Sequence, residues 1–207
     1  HALSRRGLLP LPHAATPAPW DVRLEAADRR SLLHLLRAVR RAVAAADAAG
    51  IGWHAVLDAL RPQVQSLWQT LSAVDRHRFL RHLRPWWEVH RHRLAPTVAG
   101  TIRAARSAAR LNILAGRIER IVPAESGARV YWSRRGGTAG QPLDVQCVIN
   151  CTGPEVDVTR VNDPLLRQLL ADGLVRPDPW RLGLDASAQG GIARRDGEVS
   201  QRLFAVG

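Results

Sequence analysis

The feature that most limits what this chain can fold into is a change of hydrophobic period near Asn112. Before it, apolar residues recur at helical spacing; after it, they alternate as in strands. Leu32, Leu33, Leu35, Leu36, Val39 and Val43 mark an amphipathic helix within Leu24–Ala49, with arginines between them and Gly50 at its end. A second helix is expected from Trp53 to Leu60, interrupted by Pro62 and continued by Val64, Leu67, Trp68 and Leu71. Ser72 and Asp75 have capping-box spacing, with Asp in place of the usual Glu or Gln, and so predict another helix start. A further helix is expected over Val98–Leu111, and Ala14–Trp20 reads as a Pro- and Ala-rich loop.

Beyond Asn112 the strand signals are Ile113–Gly116, Arg117–Val122, Ala128–Ser133 and Leu143–Ile149. They form an antiparallel meander whose final strand runs into Asn150-Cys151-Thr152-Gly153-Pro154. Thr-Gly-Pro after a short apolar run is turn chemistry at a strand's carboxyl end, where open α/β sheets place ligands. Pro164–Ala171 is a short helix, and Leu203–Val206 a closing strand that ends at Gly207.

At the other end, His1–Leu3 reads as the end of a strand followed by Ser4-Arg5-Arg6-Gly7. A hydroxyl beside two guanidinium forks suits the oxygens of a phosphate monoester, and the alternative is a solvated basic turn. The chain begins with His, contains no Met and stops on a strand, so a piece of a longer protein is expected.

The net charge of +12 is spread from Arg5 to Arg202, which fits solubility and attraction of anions. No aromatic interleaving accompanies the arginines, so nucleic acid is not an expected partner. Cys147 and Cys151 lack the spacing of a zinc or redox pair and read as reduced packing residues, which points to the cytoplasm. No apolar stretch is long enough to span a bilayer, and no membrane partner is expected.

His82, Glu88, His90 and His92 invite a metal reading, but the two-residue step from His90 to His92 points them apart on a helix, Glu88 is expected to pair poorly with either, and arginines adjoin them. No metal site is assigned. A catalytic base among these histidines stays open, as does the packing alternative. There is no G-x-S-x-G elbow, and no Walker or G-x-G-x-x-G loop. Glu155 and Asp157 are as well placed to cap as to catalyse.

Four segments, in this order, resemble the FAD/NAD(P)-binding proteins of the YdhS-like group, distant relatives of flavoprotein monooxygenases. They are residues 1–12 (HALSRRGLLPLP), the stretch from Trp87 to Pro96, INCTGP at 149–154, and RLFAVG at 202–207. The resemblance implies an α/β, Rossmann-like, two-dinucleotide flavoprotein fold, incomplete here, with a helical insertion over about 20–111. Residues 1–111 would be the remainder of the nicotinamide nucleotide domain. Residues 112–207 would be a β-rich return into the FAD domain.

It further implies an FAD-dependent, NAD(P)H-using oxidoreductase, of which a monooxygenase is one form, with catalytic residues, substrate and electron acceptor unassigned. Ser4, Arg5 and Arg6 would take the 2′-phosphate of NADP, although NAD stays open. Thr152, Gly153, Pro154 and Gly207 would face FAD. The helical insertion would be a lid or a substrate-facing subdomain. A non-catalytic FAD/NAD(P)-binding or protein-interaction module is the alternative.

Overall fold

The computed structural model describes residues 1–14 and 19–206. Most of the expected Ala14–Trp20 loop, and Gly207, therefore lie outside the described residues. The chain divides into two compact units, His1–Cys147 and Val148–Gly207. The meander lies in the same unit as the helical block.

The first unit opens on strand β1 (Ala2–Ser4), which the helical block separates from its partner. Helix α1 (Leu32–Ala48) begins where Ser31 caps it, its side chain accepting from the His34 N–H at 3.4 Å. The start is shorter than the expected Leu24, because the turns at Ala26–Arg30 precede the cap. Helix α2 (Trp53–Leu60) stops at Pro62, which opens a single 3₁₀ turn before α3 (Val64–Thr70).

Helix α4 (Ala73–Arg78) starts on Ser72, whose Oγ accepts from the Asp75 N–H at 3.1 Å. The reciprocal half of the capping box does not form. The buried Asp75 carboxylate instead accepts from Leu32 N–H at 3.1 Å, so one aspartate satisfies the first donor of α1 and ties α4 to it. A π-helical turn over Phe79–Leu83 leads into α5 (Arg84–Arg91), and α6 (Pro96–Ser107) follows.

The helical core is Val22, Ala46, Val56, Leu60 and Leu67, with Leu35, Val39 and Val43 packed against it. These are largely the residues that set the 3.6 period in the sequence. Each buried aliphatic side chain contributes about 1.5–3 kcal/mol, enough for an amphipathic helix to outweigh its own marginal propensity.

After α6 the chain forms β2 (Ile113–Ala124), β3 (Gly127–Arg134) and β4 (Leu143–Val145), giving the sheet order β1-β2-β3-β4. Strand β1 pairs with β2 in parallel, from Ala2 opposite Ile113 to Ser4 opposite Ala115; the other pairings are antiparallel. Trp132 is buried against two glycines. A Cβ on Gly116 or Gly140 would overlap its ring, and its indole N–H donates to the Gln141 carbonyl at 2.8 Å.

Strand β4 stops at Val145, four residues short of the expected Ile149. Its partner explains the difference: Val145 faces Ala128, and only Gly127, the first residue of β3, lies beyond that, so β3 has no length to pair with the rest of the apolar run. Ile149 is accordingly 79% exposed.

The second unit contains α7 (Pro164–Ala171), β5 (Gly191–Ala193) and β6 (Val199–Phe204), with β5 and β6 antiparallel. Asp163 caps α7 by accepting from Leu166 N–H at 2.8 Å, and Arg195 donates to the Leu170 and Ala171 carbonyls at its other end. Val175, Ile192 and Ala193 form its buried centre.

Candidate functional site

Ser4 ends β1, and Arg5 and Arg6 form the turn that follows. The Gly7 N–H donates to Ser4 Oγ at 3.0 Å, which anchors the turn while leaving the serine's own proton free to donate. Arg6 lends one N–H to the Arg81 carbonyl at 3.4 Å. Arg5 is exposed, and among the described residues no hydrogen bond or ion pair engages its guanidinium. These three residues are thus brought together at the carboxyl end of a strand in a parallel pair.

Thr152, Gly153 and Pro154 belong to the other unit and are all exposed. Asn150 Oδ1 accepts from both the Thr152 N–H, at 3.1 Å, and the Thr152 hydroxyl, at 2.8 Å. The Thr152 hydroxyl proton is therefore already used within the turn. Gly153 has φ +77°, a left-handed conformation that favours glycine, and open space where a Cβ would sit. Gly207 lies outside the described residues.

The histidine cluster has structural partners. His92 Nε2 lies 2.9 Å from Glu88 Oε2, which corrects the expectation that Glu88 pairs poorly: His92 directly follows α5, four residues on from Glu88, close enough to reach back to it. His90 Nδ1 is 2.7 Å from the Trp86 carbonyl, and its ring meets the Trp53 ring edge-on at 4.9 Å. Arg93, its side chain only 4% exposed, forms a two-pronged pair with Asp58 at 3.0 Å and lies over the Trp53 ring at 5.1 Å. Arg93 is thereby committed to Asp58.

Glu155 and Asp157 are likewise engaged in local turns. Glu155 accepts from the Asp157 N–H at 3.1 Å, and Asp157 accepts from the Thr159 N–H and hydroxyl at 3.1 and 2.7 Å. The Thr159 hydroxyl, with its backbone N–H and the Arg181 charge, holds the Asp157 carboxyl below the usual range. That favours an acceptor over a proton donor. Among the described residues, no group of three or more His, Cys, Asp or Glu is placed to hold a metal ion.

One cavity of the first unit is built from segments distant in the sequence. Of about 1030 Å³, it is bounded by the Gly7–Pro12 loop, α6, the start of β2 and the ends of β3 and β4. The loop is held in place by main-chain bonds to the segment after α5, His13 N–H to Leu94 O at 2.9 Å and Leu94 N–H to Leu11 O at 2.8 Å. Arg103, Arg106 and Arg134 line the cavity, and none of its lining residues is Asp or Glu. A sequence signal for this existed: from Val89 to Ile118 the chain carries no acidic residue, so the arginines of α6 have no local carboxylate.

No helix among the described residues is long and apolar enough to cross a membrane. Neither a family model, nor a curated protein, nor a solved structure matches this chain.

Proposed function

We propose that this chain is the nicotinamide-side part of an FAD- and NAD(P)H-dependent oxidoreductase, with the turn Ser4-Arg5-Arg6 reading the 2′-phosphate of NADP. The observation that carries the reading is the exposed, unengaged Arg5 beside Ser4, at the carboxyl end of a strand paired in parallel. Ligands of open α/β sheets bind at that end, and a basic pair there accepts a phosphate where an acidic residue would accept a ribose hydroxyl. The turn has the donors a phosphate monoester needs: the Ser4 hydroxyl, the Arg5 fork and the N–H groups of Arg6 not given to Arg81.

On this reading the helical block is an insertion in the crossover between two parallel strands of a Rossmann-like domain. The turn at Thr152–Pro154 approaches the flavin through backbone, because the Thr152 hydroxyl is already spent on Asn150 and Gly153 leaves an open face. Hydride transfer from NADPH to flavin is the chemistry the cofactors supply. The protein's part is to hold the nucleotide phosphate and orient the ring. The location proposed is the cytoplasm, and the partners are small molecules, with neither nucleic acid nor membrane involved.

Purified full-length protein is expected to show flavin absorbance that NADPH bleaches under anaerobic conditions. Arg5→Ala is expected to raise the Kd for NADPH by about tenfold or more while leaving that for NADH within about twofold, the loss of one hydrogen-bonded charge. Equal effects on the two nucleotides would remove the 2′-phosphate assignment. Bound flavin that neither nucleotide reduces would remove the oxidoreductase reading.

A further inference from the structure

The cavity beside α6 combines two properties that favour one kind of ligand. Its lining is mixed, and its apolar part includes Leu9, Leu111, Ile113 and Trp132. Its charge is of one sign, from Arg103, Arg106 and Arg134. On α6 the residues Ala99, Ile102, Arg103 and Arg106 follow the spacing of one helical face, so the cleft-facing stripe changes from apolar to basic along the helix. Among the described residues no carboxylate lies within ion-pair distance of these three arginines. The C-terminal dipole of α6 offsets roughly half a charge near Arg106. Three guanidinium groups exceed that, and a low-dielectric wall behind them strengthens their pull on an anion.

The cavity volume, about 1030 Å³, is at the upper end of the ~300–1,000 Å³ typical of small-molecule sites. Ser4, Arg5 and Arg6 do not line it, so it is a separate site from the one proposed for the 2′-phosphate. We propose that this cleft binds an amphipathic organic anion, with a carboxylate or phosphate head on the arginines and a hydrocarbon body against the leucines and Trp132. Arg103 and Arg106 select for the charged head, and the apolar wall selects against the bare inorganic ion.

Calorimetric titration of the full-length protein with octanoate, octyl phosphate, octanol and inorganic phosphate tests this. Octanoate or octyl phosphate is expected to bind at least about tenfold more tightly than both octanol and inorganic phosphate, the discrimination of one charge-assisted contact. The tighter of the two anions identifies the head group. Arg103→Ala/Arg106→Ala is expected to abolish that preference, and Arg103→Lys/Arg106→Lys to keep most of it, with NADPH affinity unchanged in both variants. Octanol binding as tightly as octanoate, inorganic phosphate binding as tightly as octyl phosphate, or an unchanged preference in the alanine variant would overturn the proposal. Loss of NADPH binding by Arg5→Ala with octanoate binding intact would leave the two sites independently assigned.

Discussion

Two groups of arginines in the His1–Cys147 unit meet opposite fates. Arg93 is buried, gripped at two points by Asp58, and covers Trp53. Arg103, Arg106 and Arg134 line an open cleft, and among the described residues no carboxylate lies within ion-pair distance of them. The first arrangement spends the charge on holding α2 against the segment after α5. The second leaves it available to a ligand. Folding tolerates the second only because those heads stay hydrated at the surface, whereas a buried guanidinium without a partner would be costly. A count of arginines in the sequence treats the two groups alike; the carboxylates folded next to them make the difference.

That contrast is most directly broken by removing the half-exposed acid that pairs with the buried Arg93 side chain. Asp58→Ala is expected to destabilise the protein by roughly 1.5–3 kcal/mol, the range for a hydrogen bond to a charged group, read as a lowered urea midpoint at unchanged slope. A loss of under about 0.5 kcal/mol would mean that the carbonyls of His54 and His90 and the Trp53 face hold Arg93 without it. The opposite substitution sharpens the same contrast with a smaller effect. Arg103→Ala/Arg106→Ala is expected to change stability by about 0.5 kcal/mol or less, and in the stabilising direction at low salt, where like charges repel most.

The smallest effect concerns a pair between these extremes, Arg129 and Asp144, which face each other across β3 and β4 at 2.6 Å with both side chains about half exposed. The Arg129 hydrogen bond holds the Asp144 carboxyl below its ordinary value, and the Asp144 partner raises that of Arg129. A depressed carboxyl pKa contributes stability above the unfolded value, and that contribution fades as pH falls through the folded one. The β3–β4 edge is therefore expected to open first below about pH 4, seen as faster amide exchange at β4 while the helical core stays protected. Exchange at that edge that does not change between pH 5 and pH 3 would show that the pair contributes nothing to it.

Much of the local structure was legible before any fold was seen. Trp53–Leu60 and Pro164–Ala171 match the expected helices residue for residue, because Pro62 ends one and Asp163 with Pro164 starts the other. The antiparallel meander also follows its alternating pattern. What the pattern missed depends on a distant partner. The end of β4 at Val145 reflects where β3 begins, and the preference of Asp75 for Leu32 over its own cap reflects a helix far earlier in the chain. The candidate residues Ser4, Arg5 and Arg6 were legible because they are consecutive. The cleft was not, since its arginines come from α6 and from the far end of β3.

Period, proline and cap residues act within a few bonds, and so the amino-acid order alone dictates which segments of this protein are helix or strand and where most of them stop. Pairing, burial and charge compensation act through space between residues of different elements. The parallel pairing of β1 with β2 brings the Gly7–Pro12 loop and α6 around one cavity. The packing of α2 against the segment after α5 gives Arg93 a carboxylate, whereas among the described residues none is folded within ion-pair distance of Arg103.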